Sequence, residues 1–242
     1  MTETEIDYVS PQWSAPFHVR ALTTLRLGGY SKGDYQGLNL ADDAAHVAKN
    51  RSLIRSSAGC PADPHWLEQM HGSQVVQLDD GDFSGLADGS ISLSRGAVCA
   101  VLSADCVPLF ITDRPGQFVA LLQVGWRGLE AGIVESGLDL IPQPMAQVLA
   151  WIGPAIGPTV YEVGDDVRGR LLKVCRDHDS NFTRTETGWL ANLPGMVEQR
   201  LRRAGVETVG SSGLCTFSAP GKWFSHRRSA PCGRMASLIW LT

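Results

Sequence analysis

Ala100-Val-Leu-Ser-Ala-Asp-Cys106-Val-Pro-Leu-Phe-Ile-Thr112 is followed, after a short turn at Asp113-Arg-Pro-Gly116, by Phe118-Val-Ala-Leu-Leu-Gln123-Val-Gly-Trp-Arg127-Gly128. Both runs are apolar and rich in β-formers, and both fall well short of the ~20 residues of a membrane span. They read as neighbouring buried strands. Polar residues interrupt each of them: Asp105-Cys106 in the first, Gln123 and Arg127 in the second. A polar group in a buried strand is costly unless something binds it. The two strand ends are therefore the first place to expect an active site.

Further strand-like runs cover residues 17–24, 74–78, 97–103, 107–112, 117–124, 147–152, 206–210 and 234–241. Four helices are expected between them. Asp42-Asp43 could cap one over Ala44 to Ala58, with Val47 and Ile54 on one face and Gly59 as the stop. A second would cover Gly128 to Leu140 with Leu129, Ile133 and Leu140 inward, although Gly132 and Gly137 weaken it. A third spans Asp165 to Cys175, with Val167, Leu171 and Val174 inward. The fourth starts at Asn192-Leu-Pro194, a capping side chain and then proline in the first turn, and runs to Arg203 with Val197 and Leu201 inward. Adjacent strands joined by short turns favour mixed or antiparallel sheets over a parallel βαβ array. The fold expected is α+β, a single domain over 1–242 with packed mixed β-sheets flanked by helices.

Composition is that of an ordinary globular protein, 43% hydrophobic and 19% charged. A net charge of −4 with no long basic run argues against nucleic acid or an anionic membrane as the main partner. The acidic start, Met1-Thr-Glu-Thr-Glu, lacks the basic and apolar regions of a secretory signal. Cysteines 60, 99, 106, 175, 215 and 232 show no framework spacing and read as reduced thiols. Together these predict a cytoplasmic protein, with a monomer as the default. Six isolated histidines are too few for a multicopper oxidase, which needs many, typically in His-x-His pairs.

Ala104-Asp-Cys106 followed by Gly125-Trp-Arg-Gly128 resembles the YfiH family, long described as laccase-domain or polyphenol-oxidase proteins and now as purine nucleoside phosphorylases. The resemblance runs along nearly the whole chain. It includes Thr24-Leu-Arg-Leu-Gly-Gly-Tyr-Ser31, Trp66-Leu-Glu-Gln-Met-His71-Gly72, Ala87-Asp88, Tyr161-Glu-Val-Gly164, Cys215-Thr216, Phe224-Ser-His-Arg-Arg228 and Gly233-Arg-Met-Ala236. It implies phosphorolysis of adenosine, inosine, guanosine and methylthioadenosine with phosphate, a related adenosine deaminase activity, and a zinc site.

The implied zinc ligands fall on His71, Cys106 and position 123, where the family carries His and this chain carries Gln123. A neutral amide oxygen is a poor zinc ligand beside an imidazole, so affinity should fall by orders of magnitude. Three outcomes stand open. Gln123 and water complete a weak site; His226 or Cys232, which also depart from the family pattern, substitutes; or the site is metal-free. Arg26, Arg127, Arg227, Arg228 and Arg234 lie in the motif segments. Arginine binds phosphate bidentately, and Arg26, Arg127 and Arg228 are the first candidates to hold phosphate. Trp126 is expected to pack. Glu162 could contact a ribose hydroxyl or bond to backbone. Two other functions compete: a Cys-His hydrolase or cell-wall precursor editing enzyme, with Cys106 as nucleophile and His71 as base, and a degenerate homologue that binds nucleosides without turnover.

Overall fold

The computed structural model describes residues 6–41, 44–81 and 85–242. The strands, in chain order, are β1 (Tyr8–Val9), β2 (Val19–Thr24), β3 (Val75–Gln77), β4 (Gly89–Ser92), β5 (Val98–Ser103), β6 (Val107–Asp113), β7 (Val119–Val124), β8 (Val148–Ile152), β9 (Glu162–Val163), β10 (Phe182–Arg184), β11 (Trp189–Ala191), β12 (Thr208–Ser211) and β13 (Met235–Leu241). The α-helices are α1 (Val47–Ser57), α2 (Trp126–Ala131), α3 (Ile133–Asp139), α4 (Asp165–Val174) and α5 (Leu193–Arg203). The fold is α+β, as expected. A six-stranded sheet in the order β12-β8-β6-β7-β4-β3 is mixed, with parallel pairs at its two edges. A four-stranded sheet β1-β2-β13-β5 and a three-stranded sheet β10-β11-β9 are antiparallel.

The two larger sheets pack face to face. Cys99 and Val101 of β5 and Ile239 and Leu241 of β13 meet Phe110 of β6, Val119 and Leu121 of β7 and Trp151 of β8 between them. Phe110 and Trp151 stack edge-to-face, ring centres 5.5 Å apart. On the outer face of the six-stranded sheet, Leu109, Ile111, Leu122 and Ile152 pack against Leu129, Ile133, Met196 and Leu201 from the helices. The outer face of the four-stranded sheet, with Ala100, Leu238 and Trp240, is covered by Ile54 of α1 and by Leu38 and Leu40. With both faces covered, the central strands cannot alternate apolar and polar, which is why β6, β7 and β13 read as near-continuous apolar runs.

The helices differ from expectation in detail. Position 132, a glycine at φ +89°, splits the expected 128–140 helix into α2 and α3. Gly137 has a packing reason: a Cβ there would sit 2.6 Å from Leu122 Cδ1, so α3 lies against β7 only because none is present. Leu140 and Val174, expected inward, are exposed, because each falls at or beyond the last turn of its helix. Asn192 does cap α5, its Oδ1 accepting from Gly195 N at 3.0 Å. The expected caps Asp42-Asp43 lie outside the described residues; α1 begins at Val47 and Gly59 follows it at φ +64°. All six cysteines are free thiols. Among the described residues no helix is long and apolar enough to cross a membrane.

Candidate active site

β7 lies between β6 and β4 and runs antiparallel to both, so its end meets their beginnings. Gln123 pairs with Pro108, and Leu122 with Gly89. Cys106 just before β6, Asp88 just before β4 and Gln123 on β7 therefore reach one edge of the sheet. Asp88, 1% exposed, ties them to the His71 turn. Its carboxylate accepts from His71 N at 2.7 Å and Gly72 N at 2.6 Å, and its carbonyl accepts from Gln123 N at 2.7 Å.

Among the described residues, two non-glycine residues hold left-handed backbone, His71 at φ +59° and Asp105 at φ +98°, and both are at this edge. Such conformations persist only where surroundings over-determine them. For His71 the Asp88 clamp does so. For Asp105 the carboxylate itself does: it accepts from Thr216 Oγ1 (2.7 Å), Ser225 Oγ (3.0 Å) and Arg227 N (2.8 Å). Asp105 thus pins the C-terminal segment to the strand start and fixes the direction in which Cys106 leaves it.

The edge opens into a cavity of about 250 Å³. Its wall includes His71, Cys106, Gln123, Arg127, His226, Arg227 and Arg234, and the apolar Leu102, Trp126, Ile156 and Leu193. His71, Cys106, Gln123 and Arg127, chosen from sequence, are thereby brought together. The carboxamide of Gln123 lies beside the Cys106 thiol and favours its ionised form. Burial, then the neighbouring Asp105, pushes that thiol up to about 12. Burial also holds His71 below the ordinary imidazole value against the opposing pull of Asp88, with Arg127, Arg234 and His226 adding to the depression. Tyr161, also on the wall, is pushed up to about 12 by burial. Gly125 gives the sulfur its space, since a Cβ there would meet Cys106 Sγ at 2.9 Å.

The arginines sort differently from expectation. Arg26 and Arg228 do not line the cavity. Arg26 donates to the carbonyls of Pro220 and Gln36 and lies over the Phe224 ring, and Arg228 donates to the carbonyls of Thr216, Phe217 and Trp223. Their guanidinium donors hold loops together. Arg127, Arg227 and Arg234 are on the wall instead. Arg127 stacks on Trp126 at 4.4 Å, and Arg227 lies 5.0 Å over Tyr161 while donating to the Glu162 carbonyl at 2.6 Å. The Glu162 side chain accepts from Thr185 and Thr187, a structural use. Sequence reasoning missed Ser103, Tyr161 and Leu193 as wall residues and Asp88 as the clamp. Ala87-Asp88 and Tyr161-Glu-Val-Gly164 stood among the quoted motifs, whereas nothing in the sequence marks Leu193.

The donor set decides whether a zinc ion fits. Among the described residues no three His, Cys, Asp or Glu side chains converge so as to hold a metal ion. His226 lines the cavity without completing such a group, and Cys232 is buried off the cavity, its sulfur 3.5 Å from Arg234. What remains is one imidazole, one thiol and a neutral amide. That set does not fit the three-ligand zinc site the family pattern implies.

Comparison with known proteins agrees with the sequence motifs. Residues 20–242 match the family model described as multi-copper polyphenol oxidoreductase laccase. The chain is 39% identical over 238 residues to the purine nucleoside phosphorylase YfiH of Escherichia coli, covering 96% of this chain and 98% of that one. It is 38% identical over 240 residues to a purine nucleoside phosphorylase of Pseudomonas aeruginosa, covering 97% and 98%. Among solved structures, a Neisseria meningitidis protein superposes with a TM-score of 0.92 at 35% identity, covering 97% and 98% of the two chains. A Bacillus licheniformis protein called YfiH does so at 0.87 and 30%, covering 93% of each. The chain belongs to the YfiH, or laccase-domain, family.

Proposed function

We propose that this chain is a purine nucleoside phosphorylase that works in the cavity between His71, Cys106, Gln123 and Arg127. The observation that carries the proposal is the make-up of that cavity: its wall combines apolar and aromatic residues with three arginines. Its volume is below the ~300–1,000 Å³ of pockets that take drug-sized ligands, which favours a compact, rigid occupant. A flat purine suits Leu102, Trp126, Ile156 and Leu193. An inorganic phosphate suits the guanidinium groups of Arg127, Arg227 and Arg234, which bind it with charge-assisted hydrogen bonds.

The reaction then needs little from the protein beyond position and charge. A phosphate oxygen attacks the anomeric carbon of the ribose, the bond from that carbon to the purine nitrogen breaks, and its electron pair leaves with the base. Held beside the ribose by arginines, phosphate gains the advantage of an intramolecular reactant. The departing base takes up a proton. Cys106 S–H and Tyr161 O–H are neutral donors on the cavity wall for that role. Adenosine, inosine, guanosine and methylthioadenosine are the proposed substrates, and the products are the free base with ribose 1-phosphate or, from methylthioadenosine, 5-methylthioribose 1-phosphate. Deamination of adenosine, which the family resemblance ties to zinc, is outside this proposal because the donor set lacks a third strong ligand.

The test is incubation of the purified chain with inosine or adenosine, with and without phosphate, following base and sugar products. Free base together with ribose 1-phosphate, in equal amounts and only with phosphate present, supports the reading. Base with free ribose makes the chain a hydrolase, and tight binding without products makes it a nucleoside-binding homologue.

A further inference from the structure

Tyr161 is 9% exposed, yet among the described residues its hydroxyl has no hydrogen-bond partner. Gln123 Oε1 and Ser103 Oγ, also unpartnered, are sealed off from solvent; the Tyr161 hydroxyl is not, and the residue lines the cavity. The charges that act on this hydroxyl are those of Cys106, Arg227, Asp105 and Arg127, and all four residues line the same cavity. The O–H therefore faces that space. The side chain is held in place around it. Tyr161 O accepts from Ala191 N at 2.8 Å, the ring packs in the cluster that contains Leu193, and the Arg227 guanidinium lies 5.0 Å over its face. Arg227 is anchored in turn, its backbone N–H donating to Asp105 Oδ2 at 2.8 Å and its Nη1 to the Glu162 carbonyl at 2.6 Å. Its remaining guanidinium N–H groups, and all those of Arg127, meet no acceptor among the described residues. Asp105, the carboxylate on this wall, already accepts from Thr216, Ser225 and Arg227 N. Two guanidinium groups and a buried phenol with donors to spare, and no acidic side chain left to take them, make a site for a small oxyanion.

We propose that the Tyr161 hydroxyl is the third arm of the phosphate site, donating to one phosphate oxygen while Arg127 and Arg227 bind the others. The inference rests on the phosphorylase reading for what the anion does, not for its binding. Arg234, whose Nη1 is given to the carbonyls of Cys232 and Gly233, adds charge to the site rather than direction. The phenol supplies what guanidinium groups on flexible stems do not: one donor whose direction is set by a buried ring. A phosphate so held keeps a fixed position for attack on the ribose. Of the two neutral donors on the wall, this leaves the Cys106 thiol to face the departing base.

Tyr161→Phe removes the hydroxyl and keeps the ring beneath Arg227. No protein group loses a partner, so its melting temperature should match that of the unaltered chain. Binding of inorganic phosphate alone is measured by equilibrium dialysis with radiolabelled phosphate, and phosphorolysis of inosine is followed in parallel across phosphate concentrations. Tyr161→Phe should bind phosphate about tenfold more weakly, the worth of one hydrogen bond to a charged group. Its KM for phosphate should rise by the same factor, while kcat at saturating phosphate and the KM for inosine stay within about threefold of the unaltered chain. Equal phosphate binding by the two chains, or an unchanged KM for phosphate, overturns the inference. So does a kcat that falls about a hundredfold at saturating phosphate with KM unchanged, the signature of a proton donor to the base. Weaker phosphate binding by Tyr161→Phe, in a chain that performs no phosphorolysis, leaves the anion site standing and removes the phosphorylase reading. Phosphorolysis with equal phosphate binding does the reverse, and an unaltered chain that neither binds phosphate nor turns over overturns both.

Discussion

Replacing Gln123 by His should turn the cavity edge into a zinc site. The backbone at 123 is already fixed by Asp88, and the side chain already reaches the Cys106 sulfur, so an imidazole there lies beside the thiol and on the same wall as His71. Zinc bound by four protein ligands in small peptides gains about 10–16 kcal/mol, or about 2.5–4 kcal/mol for each ligand. One added imidazole is therefore worth about two to three decades in affinity. The substitution also removes the orphaned Gln123 Oε1, so folding should not suffer. The assay is metal content by mass spectrometry after dialysis against a weak chelator, with a competition titration for the affinity. Substoichiometric zinc in the unaltered chain and about one per chain in Gln123→His is the expected pair of results. A full equivalent in the unaltered chain would refute the donor-set argument. Gln123→His that folds but takes up no more zinc than its parent would refute the geometry.

Asp105→Asn keeps the shape and one accepting oxygen, enough for Ser225 and Arg227, but turns an amide NH2 toward Thr216 Oγ1; loss of that one bond to a buried charge should cost about 2 kcal/mol in a denaturant titration. Gly125→Ala puts a methyl 2.9 Å from Cys106 Sγ, so turnover should fall roughly a hundredfold, in line with a misplacement near 1 Å, while the melting temperature changes little. Arg127→Ala should raise the KM for phosphate about tenfold or more and leave nucleoside binding nearly unchanged, which phosphate titrations at saturating inosine will read. His178 is buried, with Nδ1 2.6 Å from Gln199 Oε1 and Nε2 unpartnered, and burial holds its pKa below the ordinary value. The native state therefore binds fewer protons than the unfolded one. The stability this gives is complete above the ordinary imidazole pKa and is lost as pH falls through the folded value, at up to about 1.4 kcal/mol per pH unit. Denaturant titrations between pH 7.5 and 5 should show a steeper loss for the unaltered chain than for His178→Gln.

The central strands were legible because burial on both faces writes long apolar runs, and β5 to β8 and β13 fall where those runs predict. The strands missed, β1, β4, β9, β10 and β11, are two to four residues long and carry no pattern long enough to read. The helix over 128–140 failed at Gly132 because a left-handed glycine and a helix-interior glycine look alike until the backbone is seen. At the site, Cys106, Gln123 and Arg127 were readable as polar breaks in apolar strands. Choosing among the arginines was not possible from spacing: Arg227 and Arg228 are neighbours, yet one lines the cavity and the other is spent on three carbonyls. Ser103 escaped notice because a serine at a strand end is ordinary, and its missing partner is a property of the packed sheets.

The most direct test of the central claim is to run the purified chain with inosine and phosphate in water enriched in oxygen-18. Phosphorolysis predicts ribose 1-phosphate whose anomeric oxygen carries no label, formed one for one with hypoxanthine and abolished when phosphate is withheld. Labelled ribose, produced at the same rate with or without phosphate, would contradict it.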